Sequence, residues 1–226
     1  MKTLVIVPAY NEALNIEKTI KDIKDNSEFD YIIINDCSKD DTLEVCKKNN
    51  FNYLSLPVNY GLTSGIQLGM KYAFEKGYDI AIQFDGDGQH QAKFLKDLVK
   101  EIEDGNCDIA IGSRFVTEKK PKSMRMLGSN IISACIKITT GKTIKDPTSG
   151  MRAYNKELIE KFVKDSSLTP EPDTIAYLIK KGKKVKEVQV EMKEREFGES
   201  YLKPLKAAEY MTNIVSSILF FRNFQK

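Results

Sequence analysis

Short hydrophobic runs alternate with longer amphipathic segments along the first half of the chain. Runs rich in Val, Ile and Leu are typical of parallel strands that are covered on both faces, and the segments between them have the period of helices. The pattern therefore predicts an α/β domain with a Rossmann-like, mostly parallel sheet sandwiched by helices. The predicted strands are residues 3–10, 31–38, 53–58, 79–88 and 108–115. The predicted helices are residues 12–23, with Asn11 as the N-cap, and residues 42–49, 65–77 and 92–105.

The pattern changes after residue 117. A basic loop leads into a mixed apolar helix that ends near residue 140, and residues 145–155 are so rich in turn-forming residues that we read them as a loop. Residues 174–182 are predicted to form a helix, and the alternating residues 184–196 a strand.

The last segment, residues 205–226, is predicted to be an amphipathic helix. Its apolar face carries Ala207, Met211, Ile214, Val215, Ile218 and Phe221. Aromatic and basic side chains flank this face, namely Phe220, Phe224, Lys203, Lys206, Arg222 and Lys226. Such a helix can lie on a membrane surface, although an amphipathic helix is more often a packed element or a dimer contact. We therefore divide the chain into a domain of residues 1–205 and a docking helix of residues 206–226.

Composition excludes several classes of protein. The 226 residues are 41% hydrophobic, which is enough for one substantial core, and 35 basic against 32 acidic residues leave a net charge of only +3. That bias is too small to indicate nucleic-acid binding. The four cysteines form no CxxC pair and His90 is the only histidine, so a Cys/His zinc site is not expected. Cysteines without such a pattern fit a protein of a reducing compartment. The sequence contains no run of about 18 apolar residues, which is the length that a membrane-spanning helix needs, and no export signal is visible.

Candidate chemistry is concentrated where the predicted strands end. Residues 80–90 read IAIQFDGDGQH, so that Asp85 and Asp87 follow a buried strand directly. Two nearby carboxylates suit Mg²⁺ or Mn²⁺, Gln89 could add a neutral oxygen, and Gly86 and Gly88 would let the backbone bend. A solvated turn is the alternative, because Asp and Gly are common turn residues.

Six motifs together resemble the family 2 glycosyltransferases, which have the GT-A fold. They are VPAYNE at 7–12, NDCSKDDT at 35–42, DGDGQH at 85–90, GSRF at 112–115, DPTSGMRAY at 146–154 and REFGES at 195–200. Within that family the chain looks most like the dolichol-phosphate mannose synthase-like branch, whose members transfer a sugar from a nucleotide to a polyprenyl phosphate. The chain departs from the family's usual pattern at Asn35 and Cys37, where Asp and Gly are usual.

The resemblance implies roles for individual residues. Pro8, Tyr10 and Glu12 would form the start of the nucleotide site, and Asp36 would accept a hydrogen bond from the base. Asp85, Asp87 and Gln89 would hold the cation that bridges the donor's diphosphate. The residues that would grip the donor and acceptor phosphates are Arg114, Arg125 with Ser129, and Arg195 with Ser200. His90 would lie near the leaving phosphate, although it could simply cap a helix or pack against the loop.

The acceptor decides which residues are catalytic. A phosphate already carries about 1.5–2 negative charges and needs only to be positioned by cations, so Arg125 and Arg195 are expected to be catalytic, together with Asp87 as a ligand of the divalent cation. A sugar hydroxyl would need a base, for which Glu171 and its neighbour Asp173 are candidates. The alternatives are transfer to a hydroxyl of a lipid-linked saccharide, nucleotidyl transfer, and a non-catalytic nucleotide-sugar binder.

The resemblance also indicates a location and partners. We expect a cytoplasmic protein that is peripheral on the inner face of a membrane and that binds a nucleotide-sugar donor and a polyprenyl-phosphate acceptor. The membrane surface itself or a small membrane protein would be its partner, and it could form a homo-oligomer. Nucleic acid is not expected as a partner.

Overall fold

A computed structural model describes residues 1–194 and 204–221, except for the side chains of Arg125 and of residues 204–206. The strands are β1 (Thr3–Ala9), β2 (Asp30–Asn35), β3 (Tyr53–Ser55), β4 (Ile80–Gln83), β5 (Ile109–Ser113), β6 (Arg152–Asn155) and β7 (Val185–Gln189). The α-helices are α1 (Ile16–Asn26), α2 (Thr42–Lys48), α3 (Leu62–Glu75), α4 (Leu95–Glu103), α5 (Met124–Thr140), α6 (Lys156–Lys164), α7 (Pro172–Lys180) and α8 (Pro204–Ser216). A 3₁₀ turn at Ala92–Phe94 precedes α4, and a π-helix at Ser217–Phe221 extends α8.

The seven strands form one sheet in the order β3-β2-β1-β4-β6-β5-β7. All neighbouring pairs are parallel except those of β6, which runs antiparallel between β4 and β5. The predicted fold class is therefore confirmed: the domain is α/β, with a mostly parallel sheet and a helix near its C-terminal end.

Both faces of the sheet are buried, as the continuous apolar runs predict. Along β1, Leu4 and Ile6 belong to one hydrophobic cluster, whereas Val5 and Val7 belong to another. Successive side chains of a strand point to opposite faces, so each strand contributes to two cores. Helices cover the two faces and leave the ends of the strands open at the sheet edge.

Two local predictions are wrong. Asn11 does not cap α1, which begins at Ile16 with Asn15 as its N-cap; Asn11 instead has φ +57° and its side-chain oxygen accepts a hydrogen bond from the backbone N–H of Lys39. Residues 152–155, read as part of a loop, form β6, and α6 follows without having been predicted. Four residues starting with a charged side chain carry too little periodicity to reveal a strand.

The C-terminal helix packs against the domain itself. Ile214 and Ile218 are buried in the core, and Met211 and Val215 pack on it, whereas Phe221 on the same predicted face is 74% exposed. The division of the chain at residue 205 stays a prediction. Among the described residues, no helix has both the length and the apolar character that crossing a bilayer requires.

Candidate active site at the carboxyl edge of the sheet

The predicted site residues follow strands whose carboxyl ends lie at one edge of the sheet. Parallel β1, β2, β4 and β5 all end there, which is where open α/β sheets bind ligands. Because β6 is antiparallel, it begins at this edge: Arg152, its first residue, pairs with Gln83, the last residue of β4. The loop before β6 therefore joins the site, although the sequence motif alone does not place it there.

The first two motif loops are tied together by backbone hydrogen bonds. The N–H of Asn11 donates to Ser38 Oγ at 3.0 Å, and that of Glu12 donates to Thr42 Oγ1 at 2.9 Å. The N–H of Ala13 donates to the Asp40 carboxylate at 3.0 Å. These bonds fix the loop that carries Tyr10, which is half-buried, against the loop that follows β2.

Asp36 and Glu12 are both buried and have partners within the protein. The Asp36 carboxylate accepts the backbone N–H groups of Tyr60 at 2.8 Å and Gly61 at 2.7 Å, which anchors the loop before α3. Glu12 Oε2 accepts a hydrogen bond from the Asn15 side chain at 2.7 Å. Each carboxylate oxygen can accept more than one hydrogen bond, so Asp36 retains acceptor capacity for a base.

The Asp85–Gln89 loop is a tight turn that requires both of its glycines. A β-carbon on Gly86 would meet the carbonyl oxygen of Pro8 at 2.9 Å, and Gly88 has φ +75°. The Asp87 carboxylate accepts the backbone N–H of Gln89 at 3.1 Å. The Gln89 carbonyl accepts the backbone N–H of Lys193 at 2.8 Å, so the segment after β7 is fixed against this loop.

Three neighbours surround the carboxylate of Asp85. His90 Nε2 lies 3.4 Å from Asp85 Oδ2, and the buried His90 ring packs on Phe84 with ring centroids 5.5 Å apart. The Gln83 amide lies 3.4 Å from Asp85 Oδ1. The backbone of Gly150 is so close that a β-carbon there would meet Asp85 Oδ2 at 2.0 Å. His90 therefore packs against the loop, which is one of the two arrangements expected from the sequence, and it also lies beside the Asp85 carboxylate.

The chemistry of this loop fits a hard divalent cation. It offers two carboxylates and an amide oxygen, and the Asp85 side chain keeps a third of its surface exposed. In residues 1–194 and 204–221 no three His, Cys, Asp or Glu side chains are grouped as a metal cage. Two aspartates would suit an ion that keeps water and phosphate oxygens as its other ligands.

Two cationic side chains lie in the loop that follows β5. The Arg114 side chain is 19% exposed, and its guanidinium forms two hydrogen bonds, of 2.8 and 2.9 Å, with the fully buried Asp146 carboxylate. Lys120 Nζ donates to Ser129 Oγ at 3.1 Å, and burial lowers the pKa of its ammonium group. Arg114 is thus held in place by Asp146, and buried Ser129 is engaged by a lysine that the sequence did not single out individually.

The two acidic candidates for a hydroxyl-activating base are hydrogen-bonded by the C-terminal helices. The Tyr210 hydroxyl donates to Glu171 Oε2 at 2.5 Å, and the Ser217 hydroxyl donates to Asp173 Oδ2 at 2.7 Å. Burial, as the larger cause, and the negative charge of Glu171 both raise the pKa of Tyr210 well above its usual range. Glu171 and Asp173 therefore connect the domain to its C-terminal helix.

Arg152 is an organising residue that sequence reasoning missed. It is buried and donates to the backbone carbonyl groups of Pro147, Ser149 and Pro170 at 2.7–2.8 Å. These bonds tie the loop that carries Gly150 to the loop that carries Glu171. These three partners are backbone carbonyl groups, so no residue type in the sequence indicates them.

Three of the predicted site residues cannot be placed. Arg195 and Ser200 lie outside the described residues, as do Lys203, Arg222, Phe224 and Lys226 from the C-terminal prediction. Arg125 is in the first turn of α5, but its side chain is not described.

Comparison with known proteins agrees with the motifs. The family described as Glycosyl transferase family 2 matches residues 4–163. The undecaprenyl-phosphate mannosyltransferase of Micrococcus luteus is 28% identical over 228 residues, which cover 95% of this chain and 93% of that protein. The dolichol-phosphate mannosyltransferase of Pyrococcus furiosus is 32% identical over 230 residues, which cover 95% of this chain and 63% of that protein.

Solved structures agree on the fold. Glucosyl-3-phosphoglycerate synthase from Mycobacterium tuberculosis, in complex with Mn²⁺, UDP and phosphoglyceric acid, superimposes with a TM-score of 0.72 and 18% identity. The match covers 100% of this chain and 79% of that one. At this identity the likeness concerns the fold alone.

Proposed function

The chain belongs to the family 2 glycosyltransferases, and from this premise we propose that it transfers a sugar from a UDP- or GDP-sugar to a polyprenyl phosphate, with inversion and with the help of a divalent cation. In this reaction an oxygen of the lipid phosphate forms a bond to the anomeric carbon. The bond from that carbon to the nucleoside diphosphate breaks, and the diphosphate leaves with the electron pair.

The names of relatives that match nearly the whole chain support a polyprenyl phosphate as the acceptor. The relatives that match about 95% of this chain include two whose names specify a polyprenyl-phosphate acceptor, from Micrococcus luteus and Pyrococcus furiosus. The match to the first also covers 93% of that protein, so it extends well beyond a shared nucleotide-binding half.

The fixed cations at the edge of the sheet also support a phosphate acceptor. Glu171 and Asp173 accept hydrogen bonds from Tyr210 and Ser217 of the C-terminal helices, so both have a structural role that does not require a hydroxyl acceptor. A phosphate acceptor needs no base. It needs fixed cations, and Arg114 and Lys120 are held at the edge of the sheet by Asp146 and Ser129 respectively.

Asp85 and Asp87, with the side-chain oxygen of Gln89, would hold the cation. When it is bound, the site gains stabilisation of the negative charge that develops on the departing diphosphate. His90 and Gly150 restrict the position of the Asp85 carboxylate, and Arg114 would contribute a guanidinium to the phosphates. Tyr10 and Asp36 would bind the nucleoside.

A thermal-shift screen of nucleotide sugars, with and without Mn²⁺, tests the donor and the cation together. The correct donor should raise the melting temperature in the presence of the cation and have little effect with a chelator, because a ligand that binds only the folded state stabilises it. Asp85→Asn should remove the cation-dependent shift. An equal shift in the presence of the chelator would contradict the metal assignment.

A transfer assay tests the acceptor. Labelled sugar should move to undecaprenyl phosphate in detergent and not to a lipid-linked saccharide. Arg195→Ala should reduce this transfer by about 100-fold or more, as the loss of a phosphate contact made in the transition state would, and Glu171→Gln should reduce it far less. Transfer to the saccharide that depends on Glu171 but not on Arg195 would identify a hydroxyl acceptor instead.

A further inference from the structure

Helix α5 leaves a continuous row of hydrophobic side chains exposed. Met124, Leu127, Ile131 and Ile138 are 82, 53, 44 and 77% exposed, and the small Ala134 completes the row. Their spacing of three or four residues places them on one face of the helix. We call this row the α5 stripe. The opposite side of the helix is buried, with Ile132 and Ile136 in the core, so the stripe lies on the side of α5 that faces away from the core.

The chain around the stripe is strongly basic. Residues 119–145 contain no Asp or Glu, whereas the whole protein is nearly neutral. The basic residues of this segment are Lys119, Lys120, Lys122, Arg125, Lys137, Lys142 and Lys145. Of these, Lys119, Lys122, Lys137, Lys142 and Lys145 are exposed, and none of the five forms a salt bridge within the described part of the chain.

The stripe begins next to the candidate active site. The loop from Arg114 to Ser123 connects the carboxyl end of β5 to the first turn of α5. Lys120 in this loop contacts Ser129 one turn into the helix. Phe220 and Phe221, which are 62 and 74% exposed, belong to the π-helix that packs against α5 and add to the apolar surface of this part of the molecule.

We propose that the α5 stripe and its lysines form the surface that rests on an anionic lipid bilayer. Exposed apolar side chains flanked by lysines are suited to the boundary between acyl chains and anionic head groups. A second copy of the chain is a poorer occupant, because two such basic surfaces would repel each other. The amphipathic face of α8 is already largely covered by the domain, so α5 offers the larger free surface.

The proposed function requires an acceptor carried by a membrane but does not say which face of the protein meets the bilayer, so this assignment goes beyond it. Only the biological reason for binding the bilayer rests on the proposed function. With the stripe on the bilayer, the beginning of α5 and the carboxyl edge of the sheet lie near the head groups. A lipid phosphate could then enter the cleft while its chain remains among the acyl chains.

Vesicle flotation without donor or acceptor tests the surface directly. The protein should float with phosphatidylcholine vesicles that contain phosphatidylglycerol, float poorly with phosphatidylcholine alone, and lose binding as salt increases. Ile138→Glu and Leu127→Glu should each weaken binding by about tenfold or more, since each places a charge in the apolar contact. Phe74→Glu, at a 44% exposed position on α3, is the matched control and should bind as wild type does.

Several results would overturn the proposal. Flotation that is unaffected by the stripe variants, or absent in the wild type, would contradict it. A dimer that light scattering detects in the wild type and that Ile138→Glu dissociates would identify a second copy as the occupant. Melting temperatures of the variants that match the wild type exclude misfolding as the cause of lost binding.

A transfer assay separates this proposal from the proposed function. In detergent, the stripe variants should transfer sugar to undecaprenyl phosphate as the wild type does, and with acceptor in vesicles they should lose most of that activity. A wild type that transfers nothing in detergent would refute the proposed function alone. Detergent activity together with vesicle activity that is indifferent to the stripe would refute the docking surface alone.

Discussion

The backbone of Gly150 lies directly against the carboxylate of Asp85, where a β-carbon would approach Oδ2 to 2.0 Å. No β-carbon can be accommodated at that distance, so any other residue at 150 must displace either the loop or the carboxylate. The contact joins two motifs that are 65 positions apart in the sequence. Their proximity follows from the antiparallel pairing of β6 with β4.

Gly150→Ala should therefore impair the site more than the fold. Displacing the Asp85 carboxylate should weaken Mn²⁺ binding by about tenfold or more and lower sugar transfer at least as much, because carboxylate positioning sets both. Titration of Mn²⁺ by calorimetry, alongside transfer rates, measures the effect.

Two other glycine variants serve as controls for Gly150→Ala. A β-carbon on Gly65 in α3 would make only an ordinary contact at 3.6 Å, so Gly65→Ala should leave Mn²⁺ binding unchanged and stabilise the helix by about 0.5–1 kcal/mol. A β-carbon on Gly69 would clash with the Ile6 side chain at 2.3 Å, so Gly69→Ala should lower stability. If Gly150→Ala merely behaved like Gly69→Ala, with normal Mn²⁺ affinity, the positioning role would be refuted.

Tyr210→Phe should lower the stability of the protein and change its dependence on pH. Loss of the hydrogen bond to Glu171 should cost about 1–2 kcal/mol of unfolding free energy at pH 7. Because burial raises the pKa of Tyr210, the folded state keeps the proton that the unfolded chain releases near pH 10. This contribution is present below about pH 10 and is lost as the pH rises further.

Urea unfolding from pH 7 to pH 11 measures this difference. The wild type should lose stability more steeply than Tyr210→Phe above about pH 10, so their curves should converge. Tyr60→Phe, at an exposed tyrosine, controls for loss of a hydroxyl and should have wild-type stability at pH 7. Parallel curves for wild type and Tyr210→Phe would show that the hydroxyl is not held in the fold.

Asp146→Asn should destabilise the protein by about 3 kcal/mol. Asp146 is fully buried and pairs with Arg114, so its neutralisation leaves a largely buried guanidinium without a compensating charge. The partial exposure of Arg114 keeps the cost near the lower end of the range for buried pairs. Glu191→Gln, which breaks the exposed pair with Lys93, should cost less than about 1 kcal/mol and is the control for urea unfolding.

Thiol titration should distinguish one cysteine from the other three. Cys37 is half-buried, whereas Cys46, Cys107 and Cys135 are buried, and burial raises the pKa of Cys46 and of Cys107 to about 11. A thiol-specific disulfide reagent should therefore modify about one thiol per native chain and all four after unfolding. Cys37→Ser should abolish the native reaction, and rapid modification of a second thiol would contradict the packing around the buried three.

Sequence patterns predicted the features that depend on neighbouring residues. The parallel strands follow from the continuous apolar runs, which are the signature of strands buried on both faces. The turn after β4 follows from its Asp and Gly residues, and the need for Gly86 and Gly88 agrees with their close approach and positive φ. The family follows from six motifs in the right order, because each motif lies within a short stretch of chain.

What the sequence did not reveal depends on residues far apart in the chain. Strand β6 is defined by pairing with β4 and β5, and the buried Arg152 guanidinium donates to three backbone carbonyl groups that no residue type indicates. Likewise, the sequence offers Glu171 as a candidate base and does not reveal that the hydroxyl of Tyr210 in α8 donates to it.

The sequence by itself thus determined the α/β class, the position of the motif residues after the carboxyl ends of the strands, and the acidic loop that we propose as part of the site, since these arise from periodicity and turn chemistry within a few residues. Only the tertiary structure decided which groups surround Asp85, which carboxylates are engaged by the C-terminal helices, and which face of α5 remains exposed. Those contacts depend on how segments pack in space, and local patterns do not encode the packing geometry that brings them together.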